Sequence, residues 1–171
     1  FDSEKFNTLF DVPHETMEML KQYKSLLTKW NQKMNLVSSV TIPNIWHRHF
    51  ADSAQLWALR DSGASRWLDI GSGAGFPAMV LAIMAQDTQP ELKFTLVESD
   101  QRKCAFLLNV AQSLGLRVEV KAERIENLKA QSFDMISARA LSSLTSLLEI
   151  SARFCDETTI CLFPKGNKHE L

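Results

Sequence analysis

The sequence predicts an α/β fold: a parallel sheet with helices on both faces, behind an N-terminal helical extension. Three observations carry that expectation. Residues 1–62 read as helical throughout; after Gly63 short strand-like runs alternate with helix-like stretches; and a glycine-rich turn joins the first such run to a helix. Alternation of this kind builds a parallel sheet covered on both faces. Right-handed crossovers then bring the carboxyl ends of the strands to one edge, where open α/β sheets bind ligands.

Taken in order, Asp11 and Pro13 mark a helix start, with Glu15 and Glu18 suited to the positive end of its dipole. From there Leu20, Tyr23, Leu27, Trp30 and Met34 recur at alternating three- and four-residue spacing, an apolar stripe with Lys21, Lys24, Lys29 and Lys33 off it. A second helix is predicted from about Thr41, carrying Ile45, Trp46, Phe50, Leu56 and Trp57, and ended by Asp61-Ser62-Gly63. Strands are predicted at 67–70, 94–97, 117–120, 133–136 and 159–163, with helices near 76–86, 100–114, 124–129 and 141–154. The domain division expected is therefore 1–62, an extension packing on the core, and 63–171, the ligand-binding α/β unit.

Apolar residues at 45% and charged residues at 23% are ordinary for a soluble globular chain of 171 residues. The net charge of −1 argues against a non-specific nucleic-acid coat protein, whose affinity would come from phosphate neutralisation. Three cysteines, Cys104, Cys155 and Cys161, show no CxxC and no zinc-ligand spacing. They read as reduced thiols, and no metal site is expected. The N-terminus lacks the pattern of a signal peptide, and the longest apolar run, 76–85, falls short of the roughly 20 residues a membrane span needs. A cytoplasmic protein without a membrane partner is the expectation.

The turn itself is Asp69-Ile70-Gly71-Ser72-Gly73-Ala74-Gly75, followed by Phe76-Pro77. Glycines let the backbone turn tightly and let a ligand approach without a Cβ in the way. Glu98 ends the next strand-like run, near the remove of about 20 residues at which dinucleotide folds place the acid that accepts ribose hydroxyls. A bland alternative is that small residues merely fill a strand-to-helix turn, but strand, helix and acid together favour a nucleoside cofactor. Gly71–Gly75 spells G-x-G-x-G after Asp69, rather than the dinucleotide G-x-G-x-x-G, and no P-loop lysine follows. That arrangement resembles motif I of class I methyltransferases. An NAD(P)-dependent oxidoreductase using the same turn and Glu98 remains the alternative.

Leu68 to Pro77 resembles, residue by residue, the signature of the RsmG (GidB) family of bacterial 16S rRNA guanine-N7 methyltransferases. Other segments are similar in order and spacing: Trp30-Asn31 with Asn35-Leu36, Arg48-His49-Phe50-Ala51-Asp52-Ser53, Val97-Glu98-Ser99 with Lys103, Arg124-Ile125-Glu126, Ser137-Ala138-Arg139-Ala140, and Lys165-Gly166. Ala78 and Ile125 depart from the family pattern, at positions of helix packing and adenine fit. The resemblance implies a class I, Rossmann-like methyltransferase sheet and a chain that stops before the family's last two strands. It implies S-adenosyl-L-methionine as cofactor, held by Asp69, Gly71, Ser72, Gly73, Gly75, Phe76, Glu98, Ser99, Ile125, Glu126 and Arg139. It implies 16S rRNA in the small ribosomal subunit as substrate, for a monomeric enzyme.

Guanine N7 needs no proton removed before attack, so positioning rather than a general base is the main requirement. Where amino-group methylases place [DN]-P-P-[FY], this chain reads Ser137-Ala138-Arg139-Ala140, and no cysteine has the context of a cytosine-C5 nucleophile. Arg139 has two readings: a donor to guanine O6 or a phosphate, or a bidentate partner of the cofactor carboxylate. His49 and Asp52, three apart on a predicted helix, are expected with Asn35 over the cofactor edge as a substrate-positioning group, or else as a His–Asp pair pinning the N-terminal helices. Arg124 and Lys165 are candidates for RNA phosphates. Trp30, Trp46 and Trp57 read as core rather than as a stacking platform. A non-catalytic RNA- or ribosome-binding module with a vestigial pocket, and a small-molecule methyltransferase, stay open beside these.

Overall fold

Asp2 starts the first helix, α1 (Ser3–Phe10), by accepting a hydrogen bond from the Lys5 backbone N–H at 3.0 Å. Pro13 precedes α2 (His14–Asn31), whose Leu20, Tyr23 and Leu27 are fully buried, so the stripe read from the sequence is its inner face. The computed structural model describes residues 1–139 and 143–164. The second expected helix is not regular. It runs as a tight turn (Ser39–Asn44), a widened i→i+5 turn (Trp46–Ala51), the short α3 (Asp52–Ala54) and another tight turn (Gln55–Leu59). Widened turns of this type concentrate at functional sites.

The α/β unit follows as β1 (Arg66–Ile70), α4 (Ala78–Thr88), β2 (Lys93–Glu98), α5 (Gln101–Leu114), β3 (Val118–Ala122), a turn at Ile125–Asn127, β4 (Met135–Ala138), α6 (Leu144–Ser151) and β5 (Ile160–Leu162). All four strand pairings are parallel, in the order β3-β2-β1-β4-β5. The order reverses between β1 and β4, and the crevice outside their carboxyl ends is where such sheets take ligands. Helix α4 is buried from Ala78 to Ala85, matching a sequence that is apolar all round.

Side chains alternate between two cores, as the two-residue period of a strand requires. Trp67, Phe94, Leu96 and Met135 join the larger cluster with α2, α4, α5 and the 39–59 segment. Leu68, Ile70, Ile136 and Ala138 join the smaller one with Leu147 and Phe154. The N-terminal helices thus share one core with the sheet. Trp46 belongs to it, while Trp30 and Trp57 pack against its margin.

All five strands lie within two residues of their expected places, and β4 is the one displaced by two at both ends. The sequence predicts 133–136, but the strand is Met135–Ala138. Phe133 and Asp134 act before it: Asp134 Oδ2 accepts from the Ser65 N–H, the Ser65 hydroxyl and the Arg66 N–H at 2.7–3.0 Å, and Phe133 N–H goes to Phe154. The shift brings Ser137 and Ala138 into the sheet and leaves Arg139 at its edge. Among the described residues no helix is long and apolar enough to cross a membrane, and Cys104, Cys155 and Cys161 are free thiols.

Candidate active site

The glycine turn leaves β1 across the end of β2. The N–H groups of Gly71 and Ser72 both donate to the Val97 carbonyl, at 2.9 and 3.1 Å. Gly73, at φ 56°, turns its N–H to Glu98 Oε2 at 2.8 Å. Gly75, at φ 93°, admits no side chain: a Cβ would stand 2.6 Å from Met79 Cγ and 2.7 Å from the Tyr23 hydroxyl. That hydroxyl donates to the Ala74 carbonyl at 2.5 Å, so α2 buttresses the turn from behind. Sequence reasoning missed this role of Tyr23; its hydroxyl within an otherwise apolar stripe was the available signal.

Glu98 is 8% exposed and already engaged, with Oε1 accepting from the Asp100 N–H at 2.9 Å. A carboxylate has about four acceptor positions, so capacity for ribose hydroxyls remains beside its structural work. Asp69 is 1% exposed. The Trp67 indole N–H donates to Ser137 Oγ (2.9 Å), and that hydroxyl donates to Asp69 Oδ1 (2.6 Å), fixing the carboxylate's rotamer. Asp69 Oδ2 is buried without a partner among the described residues. Burial pushes the Asp69 carboxyl up to about 6, against the opposing hydrogen bond of Ser137. An unpaired buried oxygen is costly and marks a place where a donor from outside the chain belongs. The structural partner Ser137 was invisible in the sequence because its reach depends on the β1–β4 register.

A cleft of about 560 Å³ opens beside these groups. Ile70, Gly71, Gly73, Glu98, Ser99, Arg124, Ile125, Glu126 and Arg139 line it, so most of the predicted cofactor residues come together. Buried Ile125 presents an apolar wall, and Arg153 donates to the Glu126 and Leu128 carbonyls, holding that segment in place. Asp69, Ser72, Gly75 and Phe76 stand behind the lining instead. Ser72 Oγ returns to the Asp69 carbonyl, and Phe76 is 3% exposed.

His49 is bonded to Arg139 and Thr41, and not to Asp52, the partner that one of its two readings expected. Arg139 Nη2 lies 2.9 Å from His49 Nδ1, and His49 Nε2 lies 2.8 Å from Thr41 Oγ1. A guanidinium only donates, so Nδ1 is the acceptor and the ring proton sits on Nε2, donated to Thr41. Thr41 passes its own proton to the Ser38 carbonyl at 2.7 Å. Burial, then the charges of Arg139 and Arg48, lower the His49 pKa to about 4, so the ring is neutral. Beneath, Phe76 stacks on His49 at 5.0 Å and takes the Arg139 guanidinium over its face at 5.0 Å. Asp52 begins α3 and adds a favourable charge near Arg139. Among the described residues no hydrogen bond joins Asp52 to His49, whose two ring nitrogens are taken by Arg139 and Thr41.

Asn35 is not brought to the cleft. It is exposed in the loop after α2 and borders a separate depression with Leu36, Val37, Ser38 and Ser39. Ala140 and Lys165 lie outside the described residues.

The model of the family described as rRNA small subunit methyltransferase G (GidB) matches residues 16–171. The ribosomal RNA small subunit methyltransferase G of Jannaschia sp. (strain CCS1) is 49% identical over 155 residues, 91% of this chain and 74% of that one. Among solved structures, a SAM-dependent methyltransferase from Aquifex aeolicus has TM-score 0.55 and 19% identity, covering 74% of this chain and 72% of its own. One from Thiobacillus denitrificans, solved with S-adenosyl-L-homocysteine, has TM-score 0.53 and 19% identity, covering 74% and 55%. At such identity these two establish the fold, a Rossmann-like methyltransferase sheet. The family match displaces the nicotinamide alternative, and the chain belongs to the rRNA small subunit methyltransferase G family.

Proposed function

We propose that this chain transfers a methyl group from S-adenosyl-L-methionine to N7 of a guanine in 16S rRNA, acting as a cytoplasmic monomer on the small ribosomal subunit. The residues fit the donor. Asp69 Oδ2 is an unmatched acceptor suited to an ammonium group, Glu98 keeps acceptor capacity for ribose hydroxyls, and Ile125 offers an apolar wall for adenine. When bound, the cofactor supplies an electrophilic methyl on a sulfonium.

What remains for the protein is alignment, since the N7 lone pair needs no base. Arg139 is the group placed for it: it leaves β4 at the reversal of strand order, lines the cleft, and is held from behind by neutral His49. Only one of its five N–H donors is spent on His49, and the contact to the Arg48 carbonyl is long, 3.5 Å. The remainder can address guanine O6 or a phosphate, or the cofactor carboxylate. Arg124 at the rim, and Lys165, would meet RNA phosphates. This held guanidinium is the observation that carries the acceptor reading.

The test is incubation with radiolabelled S-adenosylmethionine and small subunits from a strain lacking its own enzyme. Label at one guanine, lost on treatment that cleaves at N7-methylguanine, is the expected result; label elsewhere, or none, refutes the assignment. Sedimentation at micromolar concentration checks the monomer.

A further inference from the structure

One face of α2 carries a feature that methyl transfer does not use. Lys21, Lys24 and Lys29, with Ser25, Thr28 and Gln32 among them, line a groove of about 580 Å³ walled by Trp46. These positions recur at helical spacing on the side opposite Tyr23, so α2 stands between groove and glycine turn. No carboxylate lines the groove. Lys21 reaches Glu18 at 2.8 Å, but Lys24 and Lys29 have no carboxylate within 4 Å among the described residues.

The charge imbalance extends along the chain. From residue 19 to residue 51 the sequence holds Lys21, Lys24, Lys29, Lys33 and Arg48, and not one Asp or Glu, in a protein of net charge −1. Lys21 and Lys24 are like-charge neighbours on α2 and repel, and Lys29 in its last turn is followed by Lys33 just beyond its end. A polyanion laid across them relieves that repulsion, and the interleaved hydroxyls and amide add hydrogen-bond donors for phosphate oxygens. Trp46, at the groove wall, opens the same widened turn that delivers Arg48 and His49 to Arg139. The groove and the methyl-transfer site therefore share one structural element.

We propose that this groove is a docking surface for the phosphate backbone of the RNA substrate, away from the target base. The proposal rests on the rRNA reading above, and its test separates the two. The Lys24→Gln/Lys29→Gln/Lys33→Gln variant is compared with its Lys→Arg counterpart and with a control that removes exposed charges elsewhere, Lys93→Gln/Arg117→Gln/Lys129→Gln. Binding of protein-free 16S rRNA is measured across a salt series, beside methylation kinetics on small subunits and S-adenosylhomocysteine affinity.

The expected result is an RNA Kd and a subunit KM each raised about tenfold, with a salt slope smaller by about 2, as when two or three phosphates are no longer neutralised by the protein. Turnover and S-adenosylhomocysteine affinity stay unchanged, and the Lys→Arg variant recovers binding. Unchanged RNA affinity and slope overturn the proposal. So does an equal loss in the control, which would mean bulk charge. Weakened binding to whole subunits but not to free RNA overturns it too, and assigns the groove to a protein partner instead. If wild type binds RNA through these lysines yet methylates no subunit, the groove stands and the rRNA-methylation reading falls.

Discussion

Asp69 Oδ1 is satisfied by Ser137 while Oδ2 is not, and burial holds the whole carboxyl near 6. An ammonium group placed against Oδ2 favours the ionised form, so binding at pH 6 expels about half a proton. Calorimetry with S-adenosylhomocysteine in two buffers of different ionisation enthalpy measures this directly. Proton release is expected for wild type and not for Asp69→Asn; equal release in both would remove Asp69 from the site. His49 runs in the opposite sense. Its folded pKa, about 4, is below the usual 6.5, so its contribution to stability is complete above pH 6.5 and is lost as pH falls through 4. The full shift corresponds to about 3 kcal/mol as an upper bound. Asp69 partly masks it, because a raised carboxyl favours the fold at low pH and loses that contribution as pH rises through 6. The informative quantity is therefore the difference between wild type and His49→Asn. Urea unfolding at pH 7.5 and 4.5 should show that difference shrinking at the lower pH; a constant difference would mean that the ring is not held neutral.

At the scale of elements, the glycine turn depends on α2. Gly75→Ala puts a methyl into Met79 and Tyr23 at a φ that L residues avoid, and should cost about 3 kcal/mol of stability. Tyr23→Phe removes only the hydroxyl on the Ala74 carbonyl, a loss of about 1–2 kcal/mol, with cofactor affinity falling alongside it as the turn loosens. Chemical denaturation and calorimetry on the two variants check the order. An unchanged affinity in Tyr23→Phe would show that the turn keeps its shape unaided. Elements with a strong local pattern were legible in the sequence: the stripe of α2, the apolar run of α4, the glycine turn, Glu98 at a strand end. Those fixed by distant contacts were not. The β4 boundary depends on Asp134 binding Ser65 and Arg66 across the sheet, and the 39–59 segment loses regularity through turns that no apolar spacing announces. The Arg139–His49–Thr41 chain joins three segments, so residue spacing could single out Arg139 and His49 but not their connection.

For the molecule as a whole, the boundary near residue 62 marks a change of sequence texture, whereas the buried surface runs across it. Leu20, Tyr23, Leu27 and Phe50 belong to the same cluster as Met79, Phe106 and Met135, and Tyr23 meets Phe76 and Phe106 at ring-centroid distances of 5.4 and 6.4 Å. Parting the two regions would expose α4, which is buried along nearly its whole length, and would release the Ala74 carbonyl. Neither part has a low-cost surface to present alone, so unfolding should be one cooperative event. Trp67→Phe leaves Trp30, Trp46 and Trp57 as the only indoles, all before residue 62. Their fluorescence in urea should then change at the same midpoint as the far-ultraviolet circular dichroism of the whole chain. An earlier fluorescence transition would mean that the N-terminal helices detach first. In that case Tyr23 could not be what keeps the cofactor turn in shape, and the lysine groove of α2 would belong to a separately moving arm.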